Sequence, residues 1–254
     1  HIDSLQITRD IESGKLTDKQ LAKAYSLRAL AWDDLGEVET SLRDIRKAIE
    51  LAPNEAAYWF TQGRTLLGAG RAREALEVFD TARKLAGEQG VDAHDYRTIG
   101  VALHYLGRQR EAAEQLARSE QASNGESNLY LAFWQHIVAK RSGAASSPLE
   151  AQLSAVMDRK WPYPVAEMLL GRLAPEKLLD AAASSDRGIQ RDQLCEAHFY
   201  IGQKYLWEGQ AEQARMAFEK SVAQEALPYS EYGYALHELG RAKAPRAEPS
   251  WWRF

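Results

Sequence analysis

The sequence predicts an all-α chain: helical hairpins stacked into a superhelix, an α-solenoid whose middle is degenerate. Three observations carry that reading. Gly36 and Gly70 stand 34 residues apart, and so do Ala48 and Ala82, and Trp32 and Leu66. Apolar residues return at helical spacing along most of the chain, and no segment alternates between apolar and polar as a half-buried strand does. A return at fixed spacing marks a unit that cannot bury its apolar face alone and must stack on a neighbour.

Taken in order, residues 1–21 read as an N-terminal helix or cap. A first hairpin runs from Ala22 to Glu55: Tyr25, Ala29 and Trp32 share one helical face, Gly36 ends that helix, and Pro53 follows the second. The second hairpin, Ala56 to Gln89, has Trp59, Gly63, Leu66, Gly70, Ala75, Phe79 and Ala82 in its columns. Gly63 and Ala75 allow its helices to approach closely, and Trp59 and Phe79 fill the space between hairpins. After a short insertion at 90–92, a third hairpin spans Ala93 to Glu126. Thirty-four residues is the period of the tetratricopeptide (TPR) repeat, so residues 22–126 read as three TPR units.

Residues 127–192 keep helical periodicity and lose the signature. Tyr130, Phe133, Trp134 and Ile137 form one face; Leu149, Leu153, Val156 and Met157 form another. A fourth clear unit starts at Cys195, with Phe199, Gly202, Gly209, Ala214 and Phe218 in register, and completes with a solvating cap helix the segment 193–241. In that helix Tyr232, Leu236 and Leu239 are expected inward and His237, Glu238 and Arg241 outward. The segment 242–254, with Pro245, Pro249 and then Trp251, Trp252 and Phe254, reads as extended. It either docks its aromatics on a groove, its own or a neighbour's, or is disordered.

Composition excludes several classes of function. Of the 254 residues 45% are hydrophobic and 27% charged, which suits a globular chain, and a net charge of -4 offers no basic field for nucleic acid. No apolar run approaches the roughly 20 residues that cross a bilayer. His1 opens the chain in place of Met, which reads as a trimmed form. The single cysteine, Cys195, excludes an internal disulfide and a thiolate cluster and is expected as buried filler.

No zinc-protease helix, nucleophile elbow, P-loop or dinucleotide fingerprint occurs, and no two histidines stand four apart on a helix. Asp33 and Asp34 form a solvated or groove-lining pair, without a histidine beside them. Neither a catalytic residue nor a metal or other cofactor is expected.

The expected function is binding. In a stack of this kind the first helix of each hairpin lines the inner wall, which puts Phe60, Arg64, Arg97, His104, Tyr105, Phe199 and Trp207 there. Aromatic rings beside arginines are the composition of an interface hot spot, and Arg64 and Arg97 suit a carboxylate of a protein or peptide partner. Ser26 and Leu30 replace the first residues of the Lys–Asn clamp with which chaperone-binding TPR domains hold an acidic C-terminus, so such a partner is disfavoured.

The order of parts resembles the NlpI-like bacterial lipoproteins, which are periplasmic TPR adaptors. The residues that carry the likeness are Trp161, Val165-Ala166-Glu167, Leu170-Gly171, Pro175-Glu176, the run Glu196 to Gly202, and Tyr234-Ala235-Leu236 with Glu238-Leu239. The resemblance implies a dimeric scaffold in the periplasm, lipid-anchored to the outer membrane, that brings peptidoglycan hydrolases and a tail-specific protease together. The lipidated cysteine of that family is not in this chain, and its clients do not transfer. A cytoplasmic or cell-surface TPR module of a larger assembly is the alternative.

Overall fold

The computed structural model describes residues 4–123, 128–144, 147–227 and 230–243, and among them every regular element is helical. The α-helices are α1 (Ser4–Glu12), α2 (Asp18–Asp34), α3 (Val38–Leu51), α4 (Ala56–Gly68), α5 (Ala72–Ala86), α6 (Ala93–Tyr105) and α7 (Gln109–Ala122). They continue with α8 (Leu129–Arg141), α9 (Leu149–Ser154), α10 (Tyr163–Leu169), α11 (Pro175–Ala181), α12 (Arg187–Trp207), α13 (Ala211–Val222) and α14 (Ser230–Lys243). The pairs α2/α3, α4/α5, α6/α7 and α12/α13 are antiparallel hairpins. The residues from Trp251 to Phe254, expected to dock or to be disordered, lie outside the described set.

One turn chemistry closes all of these hairpins. Gly36, Gly70, Gly107 and Gly209 sit at φ of +73°, +76°, +78° and +78°, a region open to glycine because it lacks Cβ. At the first of them, the Gly36 N–H donates to the Asp33 carbonyl and the Glu37 N–H to the Trp32 carbonyl, both at 2.9 Å. That pairing satisfies the last carbonyls of the helix, and it recurs at Gly70, Gly107 and Gly209.

Inside each hairpin a small residue faces a large one. A Cβ on Gly63 would stand 2.3 Å from the Phe79 ring, and one on Gly202 would stand 2.5 Å from the Phe218 ring. Gly100 meets Leu116 in the same way at 2.9 Å. A hydroxyl tie repeats as well: Ser119 donates to the Ala93 carbonyl (2.7 Å), and Ser221 to the Cys195 carbonyl (2.8 Å). The core is one continuous layer of buried side chains running through the hairpins and the short helices between α8 and α12.

Two stretches differ from the sequence reading. The first helix of the late unit begins at Arg187 rather than near Cys195, because Asp186 caps it by accepting from the Gly188 and Ile189 N–H groups. The α9 helix stops at Ser154, so Met157 is exposed rather than on an inward face.

The last helix departs most. Instead of standing as a solvating cap, α14 packs on α13 and α12 and reaches across to α4. His237 Nδ1 lies 3.0 Å from the Gly70 carbonyl oxygen, and a Cβ on Gly233 would stand 2.4 Å from the Gly68 carbonyl oxygen. The helix is rotated from the expected orientation: Glu238 is buried and Leu236 is exposed. The superhelix thereby brings its end back to its second hairpin.

Candidate functional site

The concave wall is built by α2, α4, α6, α8 and α12, and the N-terminal half of α14 lies across it. Between them is a cavity of about 620 Å³. Its lining combines Arg64 and Arg97, the rings of Tyr130 and Trp134, the carboxyls of Asp33, Glu196 and Glu231, and Leu227 and Leu236 at the rim.

Of the residues expected on the wall, the structure brings Arg64 and Arg97 to the cavity and assigns them different tasks. Arg64 Nη1 contacts Asp95 Oδ1 at 2.7 Å and Nη2 contacts Thr61 Oγ1 at 3.0 Å, so it ties α4 to α6. Burial pushes the Asp95 carboxyl up to about 6 and outweighs the guanidinium beside it. Arg97 stands 2.9 Å from His94 Nδ1 and forms no ion pair among the described residues.

The remaining wall residues are placed differently. Phe60 is buried, 6.2 Å centroid to centroid from Phe79, and borders a shallower recess with Arg64 and Asp95. His104 and Tyr105 are buried beneath α14: the Tyr105 ring is 4.1 Å from the His237 ring, and His104 Nδ1 is 2.9 Å from Gln109 Oε1. Phe199 is buried between Tyr200, Trp134 and Phe218. Trp207 is half-buried against His136, at 5.5 Å, and is not part of the cavity lining. These rings were expected on an open surface; the curvature of the wall and the return of α14 make four of them its foundation.

Sequence reasoning missed the contribution of α8 and α14. Among the described residues, the buried side chains of α14 are Glu231, Tyr234, Ala235 and Glu238, one helical stripe at i, i+3, i+4 and i+7. That spacing was legible, but two acids in the stripe disguise it as a solvated face.

Besides Asp95, three further acids are buried here, each of these held by neutral donors. Glu196 is 3% exposed, and its Oε2 accepts from Tyr130 Oη and from Trp161 Nε1, both at 3.0 Å. Glu231 is 4% exposed and accepts from Tyr200 Oη at 3.0 Å. Glu238 Oε1 accepts from Gln203 Nε2 at 3.0 Å. Burial first, and the neighbouring Glu231 second, push the Glu196 carboxyl up to about 8. Burial also raises Glu231.

Cys195 is buried with its Sγ 3.4 Å from Ser221 Oγ, and burial pushes the thiol up to about 12, the state of an inert packing residue. Among the described residues no three His, Cys, Asp or Glu side chains converge as metal ligands. No described helix is long and apolar enough to cross a membrane.

No family model matches the chain. Among solved structures it is similar to PilW, a type IV pilus biogenesis factor, with a TM-score of 0.51 and 18% identity over 92% of this chain and 91% of that one. It is also similar to a chain of the anaphase-promoting complex assembly Cut9-Hcn1, with a TM-score of 0.52 and 15% identity over 95% of this chain and 46% of that one. The third is yeast Tom70, at 0.51 and 15% identity, over 94% of this chain and 58% of that one. At these identities the likeness is one of fold, and the fold is the TPR-type superhelical solenoid.

Proposed function

We propose that this chain is a non-enzymatic scaffold that binds a peptide segment of a protein partner in the cavity between its concave wall and α14. The observation that carries the reading is the cavity itself, with Arg97 facing it without a carboxylate partner among the described residues and the half-buried ring of Tyr130 in its lining. Arginine and aromatic rings in a desolvated recess are the groups that dominate protein interfaces. Arg97 would read a carboxylate of the partner, and Tyr130 would pack on its apolar part. Arg64 is excluded from that role by its bond to Asp95.

The proposed setting is the periplasmic side of a bacterial envelope, where the scaffold is lipid-anchored and dimeric. The resemblance of residues 20–241, best in the C-terminal third, to the NlpI-like lipoproteins supports it.

Capture of partners by the wild-type chain, with crosslinking and mass spectrometry, tests the reading against Arg97→Glu. Recovery is expected to fall at least about tenfold, because reversing a charge in a desolvated contact costs several kcal/mol. The control is Arg110→Glu on the exposed face of α7, which should recover partners as wild type does. Equal recovery by Arg97→Glu would show that the cavity is the wrong surface. Fractionation of cells that express the natural gene product checks the setting; finding it with the cytoplasmic enzymes favours the alternative, a cytoplasmic module.

A further inference from the structure

The inner face of α14 carries a set of groups that a permanently seated helix has no use for. Where apolar residues would pack at no cost in desolvation, the stripe has Glu231 and Glu238, both less than 5% exposed. Glu231 lies against the fourth hairpin close enough to Glu196 for the two carboxyls to act on each other. Around this pair are Tyr130 from α8, Arg97 from α6, Asp192, Cys195 and Tyr200 from α12, and Ser230 and Tyr234 from α14 itself. Arg97 is the only cation among these neighbours, and its guanidinium is turned to His94.

Besides packing on α12 and α13, α14 meets the far side of the wall; among the described residues those contacts include the approach of Gly233 to the Gly68 carbonyl, the contact of His237 with the Gly70 carbonyl, and the packing of the His237 and Tyr234 rings on Tyr105 and Trp134. No charge-to-charge bond of α14 to α4 or α6 joins them among the described residues. The helix thus spans the cavity mouth with neutral contacts at one edge and a pair of buried acids at the other.

We infer that α14 is a detachable lid over the cavity, held shut while Glu196 and Glu231 keep their protons and released as they ionise. Burial is what favours the protonated carboxyls in the seam; Tyr130, Trp161 and Tyr200 donate hydrogen bonds to their oxygens and fix their places. Two carboxylates in the same dry space repel each other, and the one cation among their neighbours, Arg97, is hydrogen-bonded to His94 rather than paired with either. Opening rehydrates both.

The direction follows from linkage. An open lid lets the Glu196 carboxyl fall toward the ordinary value of 4.5, and a seated lid holds it at about 8. Seating is unpenalised below the ordinary value, weakens as pH rises through the interval, and carries its full penalty above about 8. What the opened cavity admits depends on the function proposed above; the motion of the lid does not.

The test is hydrogen–deuterium exchange of the full chain from pH 5.5 to 8.5, read as the protection of α14 relative to α3. The ratio cancels the intrinsic pH dependence of exchange. Wild type is expected to lose at least about tenfold of that relative protection between pH 6 and 8. Glu196→Gln with Glu231→Gln keeps the hydrogen-bonding atoms and removes the ionisation, so its ratio should stay level. Glu231→Gln alone should show a reduced slope.

A level wild-type ratio overturns the lid, and that result requires no variant to fold. A wild-type slope that survives both substitutions assigns the effect to another group and overturns the latch. Since no partner is in the experiment, either failure leaves the Arg97 result standing.

Discussion

At the scale of the residue, the hairpins depend on where a methyl group is missing. Gly63 and Gly68 lie in the same helix, yet a Cβ at Gly63 meets the Phe79 ring at 2.3 Å and one at Gly68 meets nothing within 4 Å. Phe79 is fully buried and cannot swing aside. Gly63→Ala should therefore destabilise the chain by about 1–3 kcal/mol, through displaced packing. Gly68→Ala should be neutral or stabilising by up to about 1 kcal/mol, since alanine suits a helix better than glycine. Urea unfolding midpoints of the two variants decide this, and equal midpoints would reject the account. Both glycines were visible in the sequence. Gly63 was readable as a close approach because its equivalents Gly100 and Gly202 face Leu116 and Phe218 in other hairpins.

At the scale of the element, α14 shows how local preference and docking can be separated. Gly233 weakens the isolated helix, and its absent side chain is what lets the backbone approach the Gly68 carbonyl. In Gly233→Ala the helix gains about 1 kcal/mol of intrinsic propensity. Docking is nonetheless expected to weaken, because the new methyl would stand 2.4 Å from that carbonyl oxygen, which belongs to a helix end and cannot yield as a flexible side chain would. Exchange of α14 amides should rise several-fold over wild type although the helix itself is a better one. Unchanged or slower exchange would mean that α14 is held by its contacts with α12 and α13 alone. The other elements were more legible: the turn glycines announce the ends of their helices locally, whereas the capping pair Thr17 and Gln20, which starts α2 at Asp18 rather than near Ala22, was not read.

At the scale of the whole molecule, the return of α14 changes how the array holds together. An open solenoid is stabilised between nearest neighbours only. Here His237 meets Gly70 across 167 residues of chain, so the second hairpin and the late one share a seam. Loosening α14 by Gly233→Ala should accordingly lower protection in α4 as well as in α13, while α9 and α10, which lie outside the seam, keep theirs. A response limited to α12 and α13 would mark the array as open. The sequence by itself determined the hairpins, their turns and the small–large pairs, because each arises within a few dozen residues and repeats. Only the tertiary structure decided which wall residues face the cavity. Whether Phe199 or Tyr105 contacts a partner or supports the wall depends on accumulated curvature and on where α14 comes to rest. The acids of that helix read as solvated until Tyr200 and Gln203 are placed opposite them, since a buried polar group is recognised by its distant partners and not by its own sequence.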